Sequence, residues 1–513
     1  MQKTLEISLL PEQCSSEEEV RAYVANHLGI DKTIWVKILR KSLDARRKPI
    51  HYNLQVEVFT EEQLDNEIPE FAFQDVRDKS HALIIGAGPA GIFAALKLIE
   101  GGIKPIIIER GKKVRERRRD LAQITRFNTV NPESNYCFGE GGAGTYSDGK
   151  LYTRSTKRGD VTRILQLLVK HGAEPHILYE AHPHIGTNKL PEIITRLRET
   201  IEHYGGEVFF ESKLTDIQLD GDSIRGVVIN HETTIKTKNI ILATGHSARD
   251  IFELLHQKKI AIEAKPFALG VRIEHPQALI DSIQYKCGSR GLYLPPASYT
   301  IVNQSIGRGV FSFCMCPGGI IAPAATAPGE IVVNGWSPSK RNNAFANSGL
   351  VVAINEQDFK PYSKHGDDLA GLYFQREVEQ RAFAATQSLQ APAQRVADFV
   401  DKKFSTQLPN SSYLPGLQSH VLDDILPTFV SAALRDALHV FGKKMRGYVS
   451  NEAVMVATES RTSSPVRIPR NKETLQHVQI KGLYPCAEGA GYAGGIVSAA
   501  IDGERCADKI TKC

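Results

Sequence analysis

Residues 81–110 read HALIIGAGPAGIFAALKLIEGGIKPIIIER, and this stretch decides the fold. An apolar run leads into Gly86, Gly88 and Gly91, which have the GxGxxG spacing. Apolar residues with helical spacing follow, then a Gly-Gly pair, then a second apolar run that ends in Glu109. This order of strand, glycine-rich turn, helix and strand is typical of the βαβ unit that binds dinucleotides.

Each part of this pattern has a physical role. Gly86 permits the tight turn from strand to helix, Gly88 leaves the backbone open to a pyrophosphate, and Gly91 lets helix and strand pack closely. The N-terminus of the helix offers free N–H groups and a positive dipole end to the phosphates. Glu109 stands where an acidic side chain accepts hydrogen bonds from a ribose, which favours a free 2′-hydroxyl group. FAD and NAD both satisfy these requirements.

Two later segments favour FAD. Residues 239–245, NIILATG, resemble the ATG segment of flavoproteins that carry two cofactor motifs. Residues 482–503, GLYPCAEGAGYAGGIVSAAIDG, resemble the second flavin motif, in which an acid after a strand binds the ribityl chain. Glu488 has that place here, and Gly494 and Gly495 then open a helix whose N–H groups can face the flavin. An NAD dehydrogenase has no need of this second motif.

A glycine-rich loop, GEGGAGTYSDGKL at 139–151, separates these motifs. Such glycine density lets the backbone approach a ligand, and the loop resembles the one that covers the FAD diphosphate in glutathione-reductase-like and fumarate-reductase-like proteins. The residues predicted to bind FAD are Gly86, Gly88, Pro89, Ala90, Gly91, Glu109, Arg110, Gly142, Ala143, Gly144, Leu214, Ala243, Thr244, Gly245, Glu488, Gly494, Gly495 and Ile496.

The positions of these motifs predict an α/β protein in which a discontinuous Rossmann-like FAD-binding domain carries an inserted α+β substrate domain. A small N-terminal βαββ domain precedes it, since apolar residues alternate near both ends of that segment with a helical pattern between them. The predicted ranges are 1–78 for the N-terminal domain, 79–265 and 455–513 for the two parts of the FAD-binding domain, and 266–454 for the substrate domain.

Five strings carry a resemblance to a known family: GEGGAGTYSDGKL (139–151), PHIGTNKL (183–190), FALGVRIEHPQ (267–277), FCMCPGG (313–319) and ESRTSSPVRI (459–468). The chain resembles the bacterial FAD-dependent proteins often called NAD(FAD)-utilising dehydrogenases, within the glutathione-reductase and fumarate-reductase-like superfamily. The resemblance implies FAD and a redox function, and it implies no substrate. Since no second GxGxxG follows a strand, NAD(P)H would bind only transiently, over the flavin.

Cys314, Cys316 and Arg461 are the candidate catalytic residues. Two residues apart on a predicted strand, the cysteines would point to the same face, and a disulfide between them would be strained and easily reduced. The alternative is that they serve as small apolar side chains, because the chain lacks the CxxC and CxxxxC spacings of flavin disulfide reductases. Arg461 lies shortly before the second flavin motif and is predicted to contact the flavin or an anionic group of the substrate.

Other polar residues have weaker claims to a role. Arg272, on a predicted strand, could bind an anion or form a surface ion pair. His184 and His246 could act as acids or bases, or could have structural roles. The basic run 112–119 could neutralise FAD phosphates, or could be the solvated face of a helix. No metal site is predicted, because no cysteine spacing makes a zinc pair and there is no histidine-rich motif.

Composition indicates an ordinary soluble protein. The chain has 513 residues, of which 42% are hydrophobic and 24% are charged, and its net charge is +5. No apolar run is long enough to span a bilayer, and the first residues lack the basic and apolar pattern of a signal peptide. Eight cysteines are too few for a disulfide scaffold, so we expect a cytoplasmic protein. The oligomeric state stays open.

The leading hypothesis is an FAD-dependent oxidoreductase, a dehydrogenase or reductase that moves hydride through the flavin to or from a small molecule. An FAD-dependent RNA-modifying protein is an alternative, with the basic residues between 37 and 48 as the RNA contact. Residues 1–78 hold 10 Lys and Arg against 15 Asp and Glu, so a polyanion is not an expected partner. A non-catalytic redox sensor is a third hypothesis, and the large predicted substrate domain argues against it.

Overall fold

The computed structural model describes residues 2–30, 34–60, 68–153 and 158–512. The N-terminal unit folds as the alternating pattern predicts, with Ser16 capping its helix by accepting a hydrogen bond from the Glu19 N–H group at 3.2 Å. Its antiparallel sheet has the order β1–β3–β2. The elements are β1 (Gln2–Leu9), α1 (Glu17–Leu28), β2 (Trp35–Asp44) and β3 (His51–Phe59).

The N-terminal unit is joined to the body by main-chain hydrogen bonds. In strand β2, the Lys41 N–H group donates to the Tyr179 carbonyl at 2.8 Å, and the Ala181 N–H group donates to the Lys41 carbonyl at 2.9 Å. Leu43, Ala45 and Ile50 also pack against the core of the middle region. The basic hairpin is therefore attached to the body at one side.

The next elements form the cofactor-binding unit suggested by the GxGxxG motif. They are β4 (His81–Ile85), α2 (Pro89–Glu100), β5 (Lys104–Ile108), α3 (Val114–Phe127), α4 (Val161–Lys170), α5 (Leu190–His203), β6 (Glu207–Phe209), β7 (Leu214–Asp220), β8 (Ser223–Ile229), β9 (Thr233–Lys236), β10 (Ile240–Leu242) and α6 (Arg249–Gln257).

The middle region is built around a large, mainly antiparallel sheet. Its elements are β11 (Glu263–Ala264), β12 (Phe267–Pro276), α7 (Gln277–Tyr285), β13 (Val302–Ser305), β14 (Arg308–Cys316), β15 (Ile320–Pro323), β16 (Val333–Trp336), β17 (Phe345–Ile354), α8 (Glu356–Phe359), α9 (Ala370–Thr386), β18 (Ala391–Arg395), α10 (Val396–Val400), β19 (Leu417–Ser419), α11 (Thr428–Lys444) and β20 (Val454–Glu459). The sheet order is β13–β14–β17–β12–β20–β18–β19. Strand β20 therefore lies in this sheet, between β12 and β18.

The chain then returns to the cofactor-binding unit through β21 (Val466–Arg467), β22 (Leu483–Pro485) and α12 (Ile496–Thr511). The order of the Rossmann-like sheet is β22–β10–β4–β5–β6, and its strand pairs are parallel. Strands from both ends of the region 81–511 thus belong to one sheet, with β10 between β22 and β4. The fold is mixed α/β, as the sequence predicts.

Helices α2 and α12 pack against each other closely because their contact is made of small residues. A Cβ atom on Gly503 would lie 2.1 Å from the Ala90 carbonyl oxygen. Strands β4 and β22 run parallel and each leads into one of these helices, so both helices begin at the carboxyl edge of the sheet. This edge of an open parallel sheet is where ligands bind. Within the described ranges, no helix is both long and apolar enough to cross a bilayer.

Candidate active site

A large cavity lies at the carboxyl edge of the parallel sheet and encloses about 1380 Å³ of empty space, its mouth included. It is lined by every residue predicted to bind FAD except Gly91 and Gly494. Gly91 packs beneath it, where a Cβ atom would stand 1.9 Å from the Gly86 carbonyl oxygen. The structure thus brings these residues together, and their contacts with FAD stay predictions.

Glu109 is held in the cavity wall by main-chain N–H groups. Its Oε1 atom accepts hydrogen bonds from Gly111 and Gly139, and its Oε2 atom accepts one from Ala87, each at 2.9 Å. A carboxylate has about four lone-pair sites, so one site on Oε2 is left for a ligand. A ribose hydroxyl group that donates to this site would form a charge-assisted hydrogen bond.

Two other polar groups at the cavity have no hydrogen-bond partner among the described residues. The Thr244 hydroxyl oxygen is buried and unpaired, which costs about 1–3 kcal/mol for a polar group of this kind. The Glu488 carboxyl group lines the same cavity, and burial raises its pKa to about 7, opposed by Lys265. A ligand rich in hydroxyl and phosphate groups would satisfy both, so the residues present fit FAD.

The glycine-rich loop 139–151 covers the start of helix α2. A Cβ atom on Gly142 would lie 3.1 Å from the Gly88 Cα atom, so the two backbones lie against each other. Gly88, Pro89 and Ala90 line the cavity next to Gly142. The first N–H groups of a helix lack intrahelical partners, and here they face a space that the loop encloses. This arrangement suits a diphosphate.

A second space, the inner compartment, adjoins the cofactor cavity and has about 940 Å³ of empty space, its mouth included. Cys314, His246 and Asn334 line both spaces, so the two lie next to each other. Residues from the middle region make much of the inner wall. The walls of the inner compartment include Tyr136, Tyr146, Asp148, Lys150, Ala322, Ala324, Val332, Val333, Trp336, Glu459 and Arg461.

The prediction that Cys314 and Cys316 lie on a regular strand is wrong. Strand β14 is irregular, because Cys314 has φ = 43° and the pairing with β17 shifts between Phe313 and Cys316. Cys314 opens onto the cavity, whereas Cys316 is fully buried, and both are free thiols. Protein around Cys314 desolvates it and raises the pKa of its thiol to about 11, against the effect of Lys150, so the group is protonated at neutral pH.

Arg272 is hydrogen-bonded to the backbone at this irregularity and is neither a surface ion pair nor an open anion site. Its Nη2 atom donates to the Cys314 carbonyl at 2.6 Å, and its Nη1 atom donates to both carboxylate oxygens of Glu459 at 3.0 Å. Its Nε–H group donates to Asn347 at 2.8 Å, and the side chain is fully buried. The expectation of a surface ion pair therefore fails, because β12 is a central strand of its sheet.

Arg461 belongs to a buried network of four charges. Its guanidinium donates to Glu379 and Glu330 at 2.8–3.1 Å and to Thr326 at 2.6 Å. Arg249 pairs with the same two carboxylates, at 2.8 and 3.0 Å. These hydrogen bonds thus engage four of the five N–H groups of the Arg461 guanidinium. The contact of Arg461 with flavin or substrate stays a prediction, and the fifth N–H group is the one left to make it.

The two candidate histidines differ in position. His246 lines both spaces, its Nδ1 atom is hydrogen-bonded to Ser247 at 2.8 Å, and burial together with Arg461 lowers its pKa to about 4. His184 is bonded to the Ser339 carbonyl at 3.1 Å, and burial beside Arg341 lowers its pKa to about 4. Both imidazoles are neutral at pH 7, and His246 is the one that can meet a ligand in the cavity.

The basic run 112–119 lies at the start of helix α3. Arg115, Arg118 and Arg119 are exposed, in keeping with a solvated face. Arg117 is fully buried and donates to the carbonyl groups of Asn135, Tyr136 and Glu140 at 2.8–2.9 Å. It therefore supports the loop that leads into the cofactor cavity, a role that local charge alone does not reveal.

Sequence reasoning missed Asp148 and Lys150. They lie in the loop that was assigned to FAD, yet they face the inner compartment. Asp148 accepts hydrogen bonds from Ser337 and from Arg341, the latter at 3.0 Å. These partners lie some 190 positions further along the chain, so no local pattern could have found them.

The described residues also contain one cluster of possible metal ligands. Cys486, Asp502 and Cys506 are buried, with ligand atoms within 4.8 Å of one another. The Asp502 carboxylate is bound by both terminal nitrogens of Arg470, at 2.7 and 2.9 Å. The guanidinium already supplies the positive charge that a metal ion would bring.

The fold and the site are matched by three family models. Residues 1–59 match a domain of unknown function, residues 80–258 match the pyridine nucleotide-disulphide oxidoreductases, and residues 266–462 match the C-terminal domain-like region of FAD-dependent proteins. These features together define a flavoprotein of the oxidoreductase class. An uncharacterized protein of Clostridium beijerinckii is 41% identical over 494 residues, which cover 92% of this chain and 91% of the relative. The chain belongs to the family of FAD-dependent proteins that contain a pyridine nucleotide-disulphide oxidoreductase domain.

More distant similarities cover smaller parts or have low identity. The thiamine thiazole synthase of Aeropyrum pernix is 25% identical over 185 residues, covering 33% of this chain and 56% of the relative. Glycine oxidase from Bacillus cereus is 14% identical, covers 85% of this chain and 95% of its own, and has a TM-score of 0.32. L-proline dehydrogenase from P. horikoshii is 13% identical, covers 85% and 94%, and has a TM-score of 0.33. None of these supplies a substrate for this protein.

Proposed function

We propose that the protein is an FAD-dependent dehydrogenase or reductase that moves hydride between the cofactor and a small molecule in the inner compartment. The adjacency of the two spaces carries this proposal, because Cys314, His246 and Asn334 line both of them. A molecule in the inner compartment would lie next to the cofactor cavity, with these three residues at the common boundary. Bound FAD would supply the redox chemistry, and the protein would supply orientation and a dry site.

Two groups of the chain at this junction can form hydrogen bonds with a bound ligand. The Cys314 thiol is protonated at neutral pH and can donate a hydrogen bond, and the His246 imidazole is neutral there. Ser247 fixes the orientation of the imidazole through the bond to its Nδ1 atom. The buried Arg249, Arg461, Glu330 and Glu379 network forms a rigid, charge-balanced wall behind His246.

NAD(P)H is the proposed electron donor, bound transiently over the flavin. The experiment is an anaerobic titration of the purified, FAD-loaded protein with NADPH and then NADH, followed at the visible flavin absorption band. Rapid bleaching would support a reductase fed by nicotinamide. If neither nucleotide bleaches the band, the titration is repeated with oxidisable metabolites, and failure of every donor to reduce the flavin would refute the proposal.

A pair of cysteine variants tests whether Cys314, which lines both spaces, takes part in the reaction. Cys314→Ser should keep its bound FAD and slow turnover, because the thiol lies where both spaces meet. Cys287→Ser is the matched control, a free and partly buried cysteine outside both cavities. Equal turnover in the two variants would remove Cys314 from the chemistry.

A further inference from the structure

The inner compartment has a composition that is specific enough to indicate a class of ligand. Three aromatic residues, Tyr136, Tyr146 and Trp336, line it together with Val332 and Val333. The rings of Tyr136 and Tyr146 meet edge to face, with their centroids 6.5 Å apart. Such walls favour a flat, largely apolar molecule, since a few polar groups among apolar side chains are what orient a small ligand.

Lys150 reaches into this apolar space, and the other cation of its wall, Arg461, is paired with Glu330 and Glu379. Its Nζ atom is 3.3 Å from the Asp148 carboxylate and 3.5 Å from the Cys316 sulfur. Burial acts to lower the pKa of this ammonium group, but the Cys316 sulfur and the Asp148 carboxylate raise it above the usual value, so Lys150 is charged. The ammonium group of Lys150 has three N–H donors, and a thiol sulfur is only a weak acceptor. At least one of these donors therefore still lacks a strong acceptor.

The charge of Lys150 is not balanced by the protein around it. Asp148 is its only carboxylate contact among the described residues, and Asp148 also pairs with Arg341 at 3.0 Å. One carboxylate thus serves two cations. The other charges of the wall are matched one to one, in the pair Arg272–Glu459 and in the set Arg249, Arg461, Glu330 and Glu379. The compartment therefore has one positive charge in excess.

A second donor stands at the junction with the cofactor cavity. The Asn334 side-chain oxygen accepts a hydrogen bond from the Gly335 N–H group at 2.7 Å. Its amide nitrogen donates to no described residue, and the side chain is exposed to both spaces. A carboxylate group could accept from Lys150 and a neighbouring polar group from Asn334, or the reverse, which would orient a flat molecule against the cofactor.

We propose that the inner compartment binds a flat, apolar molecule with a single carboxylate group, and that Lys150 binds this carboxylate. This inference names the substrate class of the oxidoreductase and so rests on the proposed function. One excess positive charge suits a monoanion. A phosphate group, with nearly two charges, would leave a negative charge in an apolar space, which is costly.

The binding test uses the tryptophan of the compartment as its own reporter. Because Trp35 and Trp336 are the two tryptophans of the chain, a Trp35→Phe background leaves Trp336 as the single tryptophan, and its emission is excited selectively at wavelengths that tyrosine does not absorb. The FAD-loaded protein is titrated at pH 7.5 with benzoate and with benzamide, which differ in charge but share a shape. We expect benzoate to bind at least tenfold more tightly than benzamide.

Variants of Lys150 test whether this residue causes the preference for benzoate over benzamide. Lys150→Met should abolish the preference for benzoate, and Lys150→Arg, which keeps the charge, should retain most of it. Lys403→Met is the control, a surface lysine paired with Asp401, and should leave both affinities unchanged. The comparison of benzoate with benzamide needs no Lys150 variant, so the proposal stays testable even if Lys150→Met does not fold.

Equal affinities for benzoate and benzamide, or binding of neither, would overturn the proposal, as would an unchanged preference in Lys150→Met. The readout does not depend on electron transfer. A protein that prefers benzoate but whose flavin no donor reduces would keep the ligand class and lose the oxidoreductase function. A protein that shows flavin-dependent turnover but no preference for benzoate over benzamide would keep the oxidoreductase function and lose the ligand class.

Discussion

Replacing Glu379 should destabilise the protein more than any change of equal size on the same helix. Glu379 is fully buried in α9, and its carboxylate pairs with Arg249 at 2.8 Å and Arg461 at 2.9 Å. Glu379→Gln removes the charge and nearly keeps the shape, so both guanidinium groups must share Glu330. Breaking a buried ion pair by removing one partner costs about 3–5 kcal/mol.

The matched control lies two residues away. Glu377 is on the same helix and forms an exposed ion pair with Arg381. An exposed pair of this spacing contributes about 0.3–0.5 kcal/mol, so Glu377→Gln should barely change stability. At about 2–4 °C per kcal/mol for a cooperative unit of about 150–250 residues, Glu379→Gln should lower Tm by about 6 °C or more.

Thermal unfolding followed by circular dichroism and by the release of fluorescent FAD would measure both variants. Equal Tm values for Glu379→Gln and Glu377→Gln would refute the reasoning. Burial acts to raise the pKa of Glu379, but Arg249 and Arg461 lower it to about 2, below its ordinary value of 4.5. Its contribution to stability is therefore complete above pH 4.5 and is lost as the pH falls towards 2, so the Tm difference from wild type should be constant between pH 6 and 8 and shrink below pH 4.5.

Three further outcomes are expected. Gly91→Ala places a Cβ atom 1.9 Å from the Gly86 carbonyl oxygen and should purify with little FAD, as judged by the ratio of flavin to protein absorbance, whereas Gly288→Ala, which meets nothing within 4 Å, should purify with a full complement. Glu109→Gln weakens three charge-assisted hydrogen bonds and should raise the dissociation constant of FAD about tenfold or more by calorimetry; an unchanged constant would contradict its assignment. Alkylation of Cys314 by iodoacetamide, followed by mass spectrometry, should be slow at pH 7 and accelerate as the pH rises towards 11, and fast labelling at pH 7 would show that its thiol is not protonated there.

The cofactor half of the site was predictable because its signals are local. A buried strand, a turn that needs glycine and a helix that starts after it all lie within a dozen residues, from His81 to Gly91. Glu109 follows at the end of the next strand, and a parallel neighbour brings it to the same edge. Steric and dipole requirements of this kind act over short distances along the chain, so the sequence displays them.

The inner compartment was not predictable because the residues that contact each other there are far apart along the chain. The irregular backbone at Cys314 is hydrogen-bonded to Arg272, 42 positions earlier, whereas spacing alone predicted a regular strand there. Arg461 is engaged by Glu330, 131 positions away. Asp148 and Lys150 lie in a loop whose glycines indicated the cofactor, while the cation Arg341 that shares Asp148 comes from the middle region. Contacts between residues this far apart along the chain produce no periodic pattern in the sequence.

The parallel sheet contains strands that the ribosome synthesises early, together with a strand, and the helix that follows it, that are synthesised late. Ile108, at the end of β5, and Ile496, at the start of α12, lie 388 positions apart. A ribosome that adds about 5–20 residues per second takes roughly 20–80 s to cover this interval. For that time the nascent chain carries the GxGxxG turn without the helix that packs against it, and α2 exposes its apolar face. A message truncated before α12 would therefore yield a polypeptide whose α2 face stays uncovered, and chaperones and proteases act on such exposed apolar surface.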